Sequence, residues 1–185
     1  KVKEELLNIY SVERSNNYTL EHIVPQCIYK KEKNIKLDMH NLIFYPIKLN
    51  VHRSNYKYSI DNNIYEKSKI LDPYGNILNS SLYLDENYSI KTSNKKIFYP
   101  SELYRGQISR SCMYFFLNYK KYRDIMFDIV IDYEALIEWH KLYPVTDFEL
   151  IKNEKIYELQ GNENIFISNP EILIPVIEAI QKNNI

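Results

Sequence analysis

The apolar residues near the start of the chain follow first a helical and then an extended pattern. Apolar side chains recur at helical spacing within residues 1–10, which predicts a short helix. Residues 18–24 are rich in β-branched and aromatic side chains, and a proline ends the run. We therefore predict a strand that finishes between His22 and Pro25.

The next stretch joins a charged segment to a longer apolar one. The residues from Lys30 to Lys36 are mostly charged, and we expect a solvated loop there. Asp38 can cap a helix that runs from about Met39 to Arg53. Pro46 falls inside that span and should shorten or kink the helix, because it lacks the N–H that the helix needs.

The rest of the chain changes from an alternating to a helical pattern. Residues 56–99 alternate apolar and polar positions and contain a turn signal at Asp72–Asn76, which predicts strands and loops. Four helices follow, each with a start or stop signal: from Ser101 to about Tyr119, from Asp132 to about Lys141, from a capping box at Thr146 to Gly161, and from Asn169-Pro170 onward. The pattern predicts one α+β domain over residues 1–185, mostly helical in its second half.

Charge is unevenly distributed along the chain. The 185 residues carry 24 basic and 24 acidic side chains, and this balance argues against a protein that binds nucleic acid over its whole surface. Residues 30–57 nevertheless hold seven lysines and arginines against two acids, whereas residues 128–185 hold eleven acids against four lysines. One face can therefore meet phosphates while the molecule stays neutral overall.

Cysteine content and hydropathy exclude several classes of protein. Cys27 and Cys112 are too few for a disulfide framework, and we give neither a chemical role. No Cys/His cluster has zinc-ligand spacing, and no apolar run is long enough to span a membrane. Because the chain begins at Lys1 rather than Met, we expect a trimmed N-terminus, and whether a signal peptide was removed stays open.

Three residues supply the parts of a metal-dependent phosphodiesterase. His22 offers a base with a pKa near neutrality, while Glu21 and Asn50 offer oxygen ligands for Mg²⁺, which keeps several waters when it binds protein. Taken singly, each has an ordinary explanation: Glu21 and His22 can be a surface pair, and Asn50 can end a helix. Neighbouring strand residues point to opposite sides, so Glu21 and His22 can share one site only where the strand ends or twists.

Other polar residues also have structural explanations. His40 and Asn41 can tie a loop to its helix, and Arg53 can be a solvated or ion-paired arginine. His140 follows Trp139 on a predicted helix, where packing in the core is the better interpretation.

The order of several motifs is more specific than any single residue. The motifs are Glu21-His22-x-x-Pro25-Gln26, Asp38-Met39-His40-Asn41-Leu42, Asn50-x-x-Arg53-Ser54-Asn55, Tyr104 to Arg110, Leu136 to His140 with Pro144-Val145, Phe148-Glu149, and Gln160 to Ile167. Together they resemble the endonuclease I family, bacterial periplasmic and extracellular nucleases of the ββα-metal (His-Me finger) type. The resemblance runs from about Tyr18 to Glu171, with a divergent stretch at 56–99.

This resemblance implies a fold and a reaction. It implies a ββα-metal finger at about 18–55, set in a mixed domain whose helical part covers 101–180. It implies that His22 is the general base and that Glu21 and Asn50 bind Mg²⁺, with Mn²⁺ or Ca²⁺ as substitutes. The expected substrate is double-stranded DNA, and also RNA, cut with little sequence specificity to leave 5′-phosphates. The family's location implies a secreted or periplasmic protein, although two cysteines leave an intracellular one open.

The resemblance also suggests supporting roles for other residues. Arg53 is expected near the helix end, where it holds the finger or a phosphate, and Arg110 is expected to support the site or contact DNA. His40 and Asn41 become structural residues of the finger. The family's finger arginine has no counterpart here, and lysines stand in that region as expected nucleic-acid contacts: Lys30, Lys31 and Lys33, with Lys57 further along. A lysine lacks the bidentate geometry of arginine.

Two other functions stay open from the sequence. A nucleic-acid-binding protein can keep this fold without turnover, as the zero net charge and the missing arginine suggest. A structure-specific nuclease is the other. No membrane partner is expected, and the sequence contains no signal for an oligomeric state.

Overall fold

The computed structural model describes residues 2–10, 17–30, 32–60, 68–78 and 87–183. Within these ranges the strands are β1 (Tyr18–His22), β2 (Leu42–Pro46), β3 (Lys57–Tyr58), β4 (Ser68–Leu71), β5 (Ile77–Leu78), β6 (Ser89–Thr92) and β7 (Ile97–Tyr99). The helices are α1 (Val2–Ile9), α2 (Lys33–Leu37), α3 (Ile47–Arg53), α4 (Glu102–Asn118), α5 (Arg123–Ile125), α6 (Tyr133–Leu142), α7 (Asp147–Gln160), α8 (Ile165–Ser168) and α9 (Leu173–Asn183). This mixture confirms the α+β class.

A two-stranded sheet of β1 and β2 leads directly into α3. The strands are antiparallel, with Glu21 opposite Ile43 and His22 opposite Leu42. The prediction of one helix from Met39 to Arg53 is therefore wrong in its first half, where a 3₁₀ turn at Met39–Asn41 precedes β2. Asp38 does cap that turn, since its carboxylate accepts a hydrogen bond from the His40 amide at 3.0 Å.

Burial on both faces explains why β2 was not recognised. Leu42 and Phe44 pack in one apolar cluster with Leu6, while Ile43 and Tyr45 face the larger cluster around α4. Alternate residues of a strand point to opposite faces, so a strand covered on both sides has an unbroken apolar sequence. Such a run shows no period of two, and its length alone does not distinguish strand from helix.

The segment predicted as a solvated loop contains a short helix. Residues Lys33–Leu37 form α2, and Ile35 at its centre is 2% exposed. The prediction of a loop from Lys30 to Lys36 is thus wrong at its second half. One apolar side chain among charged neighbours gives no helical period, but it is enough to fix a single turn against the core.

The second sheet confirms the prediction of strands in the described part of residues 56–99. Its order is β3-β7-β6-β4-β5, with β3 parallel to β7 and the other neighbours antiparallel. The predicted turn at Asp72–Asn76 joins β4 to β5, and the Asp72 carboxylate accepts hydrogen bonds from the Tyr74 and Asn76 amides. Hydrogen bonds of this kind let an aspartate stabilise a turn.

The helical part follows its local signals closely. Ser101 precedes α4, Asp132 precedes α6, and Thr146 forms a complete capping box at the start of α7. Gly161 ends α7 with a φ of 82°, a left-handed conformation that glycine adopts without a steric cost. Pro170 begins the 3₁₀ turn that leads into α9. No helix in the described ranges has the length and apolar character needed to cross a membrane.

Candidate active site

The end of β1 places two predicted site residues in one cleft. The strand stops at His22, and the chain bends at Ile23 and Val24. Glu21 and His22 both line a cleft of about 370 Å³, together with Gln26, Cys27 and Asn55 among others. The strand end supplies the change of direction that adjacent residues need in order to face the same space.

Two hydrogen bonds fix the imidazole of His22. Its Nε2 lies 3.0 Å from the carbonyl oxygen of Lys36, and its Nδ1 lies 3.1 Å from the amide nitrogen of Gln26. A carbonyl only accepts and an amide nitrogen only donates, so these contacts select the neutral tautomer with the proton on Nε2. Burial lowers the pKa of His22 below its usual value, which keeps this neutral form at pH 7.

Glu21 lies at the base of the same cleft, paired with an arginine. Its Oε1 accepts a hydrogen bond from Nη1 of Arg53 at 2.6 Å, and Glu21 is 7% exposed. The side chain of Asn50 also hydrogen-bonds the Glu21 carboxylate. Burial raises the pKa of Glu21, and the guanidinium and Asn50 oppose that shift. A carboxylate and a side-chain amide are thus brought into contact from β1 and α3.

Arg53 joins the end of α3 to the backbone after β1. Besides Glu21, its guanidinium donates to the carbonyl of His22 at 3.0 Å and to that of Ile23 at 2.6 Å. The ring of Tyr58 covers it at 4.5 Å, and Arg53 is 1% exposed. These contacts are those of a residue that holds the end of β1 in place, at the edge of a cleft that Arg53 also lines.

His40 and Asn41 connect the cleft to the rest of the fold. The Asn41 side chain accepts from the Val24 amide at 2.8 Å and donates to the Tyr29 hydroxyl at 2.9 Å. His40 places Nε2 3.1 Å from the carbonyl of Asn162. These contacts tie the bend after β1 and the start of β2 to each other and to the helical part.

Other predicted residues lie outside the cleft. Arg110 is 1% exposed and forms two hydrogen bonds to Glu149, at 2.8 and 2.7 Å, so its expected contact with DNA is replaced by a structural ion pair. Lys57 pairs with Asp132. Lys30 and Lys33 are exposed, and Lys31 lies outside the described residues.

Two contacts of His22 were not foreseen from the sequence. Gln26 belongs to the motif that begins at Glu21, and its separation of four residues from His22 is the one feature of the sequence that indicates a contact. The other partner is the backbone carbonyl of Lys36, which any residue type would supply. A larger cleft, of about 510 Å³, lies beside Asn34, Asp38 and Gln160, but it is lined by neither Glu21 nor His22.

Known proteins resemble this chain over most of its length. The family described as Endonuclease I matches residues 5–171. A protein named Endonuclease-1 from Buchnera aphidicola subsp. Acyrthosiphon pisum is 28% identical over 193 residues, covering 90% of this chain and 69% of that relative. An extracellular deoxyribonuclease of Aeromonas hydrophila is 27% identical over 173 residues, covering 83% of this chain and 67% of its own length.

Proposed function

The chain belongs to the endonuclease I family, and we propose that it is a divalent-metal-dependent endonuclease that hydrolyses DNA phosphodiester bonds with His22 as general base. The observation that best supports this proposal is the orientation of His22 in the cleft that it shares with Glu21. The relative named Endonuclease-1 supports a nuclease, and the one named extracellular deoxyribonuclease supports DNA as the substrate class.

The contacts of His22 suit it to remove a proton from water. With Nε2–H donated to the Lys36 carbonyl, the basic lone pair is on Nδ1, and the lowered pKa leaves it unprotonated at pH 7. Gln26 marks the direction of that lone pair, since its amide nitrogen lies 3.1 Å from Nδ1. A water that replaces or joins the Gln26 amide there is within reach of the base.

The cleft also offers the ligands that Mg²⁺ prefers. Glu21 lines the cleft with its carboxylate, and the Asn50 side chain that donates a hydrogen bond to Glu21 also carries an amide oxygen; Mg²⁺ commonly takes only one or two protein ligands while retaining waters. No group of three or more His, Cys, Asp and Glu side chains suited to a metal occurs among the described residues, so the proposal takes only Glu21 and Asn50 from the protein. When bound, Mg²⁺ or Mn²⁺ would supply charge stabilisation to the phosphoryl oxygens and the leaving oxygen.

Arg53 acts in this proposal through Glu21. It fixes one carboxylate oxygen and two carbonyls at the end of β1, so the second carboxylate oxygen has a defined position for a metal. The family also leads us to propose the ββα-metal finger as the assignment of β1, β2 and α3, with cleavage of low sequence specificity that leaves 5′-phosphates and extends to RNA.

Digestion of supercoiled DNA and of RNA tests the reaction. Wild type should cut with Mg²⁺ and not with EDTA, and His22→Ala should lower the rate by about 10²–10⁴-fold, the usual contribution of a general base. His140→Ala is the matched control, because His140 lies on α6 with Nε2 2.9 Å from the Pro170 carbonyl, outside the cleft. Equal rates for wild type and His22→Ala would refute the assignment, and ligation of the products would show whether their 5′ ends carry phosphate.

A further inference from the structure

The second sheet is fixed to the helix that carries Asn50. In the turn between β4 and β5, Gly75 has a φ of 85°, and a Cβ on it would lie 2.6 Å from both the Leu49 nitrogen and the Lys48 Cβ. Lys48 also donates to the Asn76 side chain at 2.6 Å. Only glycine allows this approach, so the sheet has a defined position relative to α3.

The second sheet carries two neighbouring lysines. Lys69 on β4 and Lys91 on β6 are paired directly across the antiparallel strands. Like charges in that position destabilise a sheet. Among the described residues, no carboxylate forms an ion pair with either lysine, so the repulsion has no compensating acid there.

The surroundings of the lysine pair add positive and aromatic character. The Lys91 ammonium lies 4.5 Å from the centre of the half-buried Tyr56 ring. Tyr56 directly follows Asn55, which lines the cleft of Glu21 and His22, so Lys91 lies near one edge of that cleft. The only acid in residues 68–78 and 87–99 is Asp72, whose carboxylate is occupied by the turn.

A cationic pair with no acidic partner among the described residues fits a multiply charged anion. Strand β6, which carries Lys91, packs against α3, which carries Asn50. The lysine pair therefore lies close to the elements that form the proposed active site. The phosphates of a nucleic acid continue on both sides of the bond that is cut, so this surface is placed to bind the backbone next to that bond.

We propose that Lys69 and Lys91 form a binding site for the phosphate backbone of the substrate, next to the bond that is cut. This inference rests on the proposed function, because it takes the cleft of Glu21 and His22 as the point of cleavage. It assigns a role to the sheet at 56–99, the stretch in which the resemblance to the family is weakest.

Equilibrium binding of a labelled 20-base-pair duplex tests this site without turnover. All variants carry His22→Ala, and Lys69→Gln/Lys91→Gln is compared with Lys141→Gln/Lys155→Gln, which removes the same charge from exposed positions on α6 and α7. We expect the first pair to raise Kd by about 2- to 30-fold at 0.1 M salt. Its slope of log K against log salt should be shallower by about 2, since each lost phosphate contact removes roughly 0.9. The control pair should match its parent.

Conservative variants separate binding from folding. Lys69→Arg/Lys91→Arg should bind like the parent, and the glutamine pair should not unfold at a lower temperature, because it removes a repulsion. Equal Kd values for Lys69→Gln/Lys91→Gln and its control would overturn the site. A higher Kd for Lys69→Arg/Lys91→Arg, together with a lower unfolding temperature of that variant, would also overturn it. Lysine-dependent binding to phosphatidylserine vesicles, with duplex binding unchanged, would also overturn it.

The proposed function is tested separately by turnover. If protein with His22 intact cuts no nucleic acid with Mg²⁺ or Mn²⁺, the nuclease assignment fails, and the duplex binding data still decide the lysine site. If it cuts DNA while the glutamine pair binds and cuts like the control, the lysine site fails and the nuclease assignment stands.

Discussion

Removing Arg53 tests whether the ion pair with Glu21 holds the end of β1 in place. Arg53 is 1% and Glu21 7% exposed, and the guanidinium also serves two carbonyls. Arg53→Met leaves a buried carboxylate without its cation, a change that costs about 3–5 kcal/mol of unfolding free energy. Lys121→Met removes a cation from the exposed pair with Glu32 and should cost at most about 1 kcal/mol.

The effect of pH distinguishes loss of the ion pair from simple loss of packing. Burial already raises the pKa of Glu21, and loss of Arg53 raises it further. A carboxyl group whose pKa is raised by folding stabilises the protein below its unfolded pKa and loses that contribution as pH rises. The deficit of Arg53→Met relative to wild type should therefore shrink as pH falls from 8 to 5.

Urea unfolding at both pH values measures this deficit, with the double variant Arg53→Met/Glu21→Gln as a second probe. Replacing both partners removes the uncompensated charge, so the double variant should recover much of the stability. A deficit below about 1 kcal/mol at pH 8, or one that grows on acidification, would refute the reasoning. So would a double variant less stable than Arg53→Met.

Three further predictions follow from the same structure. The rate of DNA cleavage should be nearly constant from pH 8 to about 6.5 and fall at lower pH. Burial lowers the pKa of His22 from 6.5, and protonation below that pKa removes the base. A rate that rises toward pH 5 would contradict this. Arg110→Ala should lower the free energy of unfolding by about 3–5 kcal/mol by leaving Glu149 unpaired, while the cleavage rate of the folded fraction stays within about twofold. Gly75→Ala should cost about 1–3 kcal/mol more than Gly161→Ala in chemical unfolding, since both have positive φ but only Gly75 has neighbours within 4 Å of the added Cβ.

The parts of the fold that were predicted correctly depend on local signals. The capping box at Thr146 and the glycine at 161 determine the ends of α7, and these signals need no knowledge of the rest of the chain. The sequence also predicts that Glu21 and His22 share one site, because Pro25 marks the place where the strand must end.

The parts that were missed depend on contacts distant in sequence. The sequence of β2 predicts a helix because both faces of the strand are buried, one of them by a cluster that includes Leu6. Arg53 meets Glu21 across 32 residues, and Arg110 meets Glu149 across 39. No periodicity connects such pairs, so the sequence could identify these arginines but not what they bind.

The contacts around the cleft explain how the middle of the chain can diverge without altering the site. In the described part of the chain, the hydrogen bonds of the His22 and Arg53 side chains, and the contacts of Glu21 with Arg53 and Asn50, all lie within residues 21–53. The second sheet reaches this unit mainly from outside, through Gly75 against α3 and through the ring of Tyr58 over Arg53. Changes elsewhere in residues 56–99 can therefore alter which substrate surface is bound beside α3, as we propose for Lys69 and Lys91, while the base and the metal ligands keep their positions.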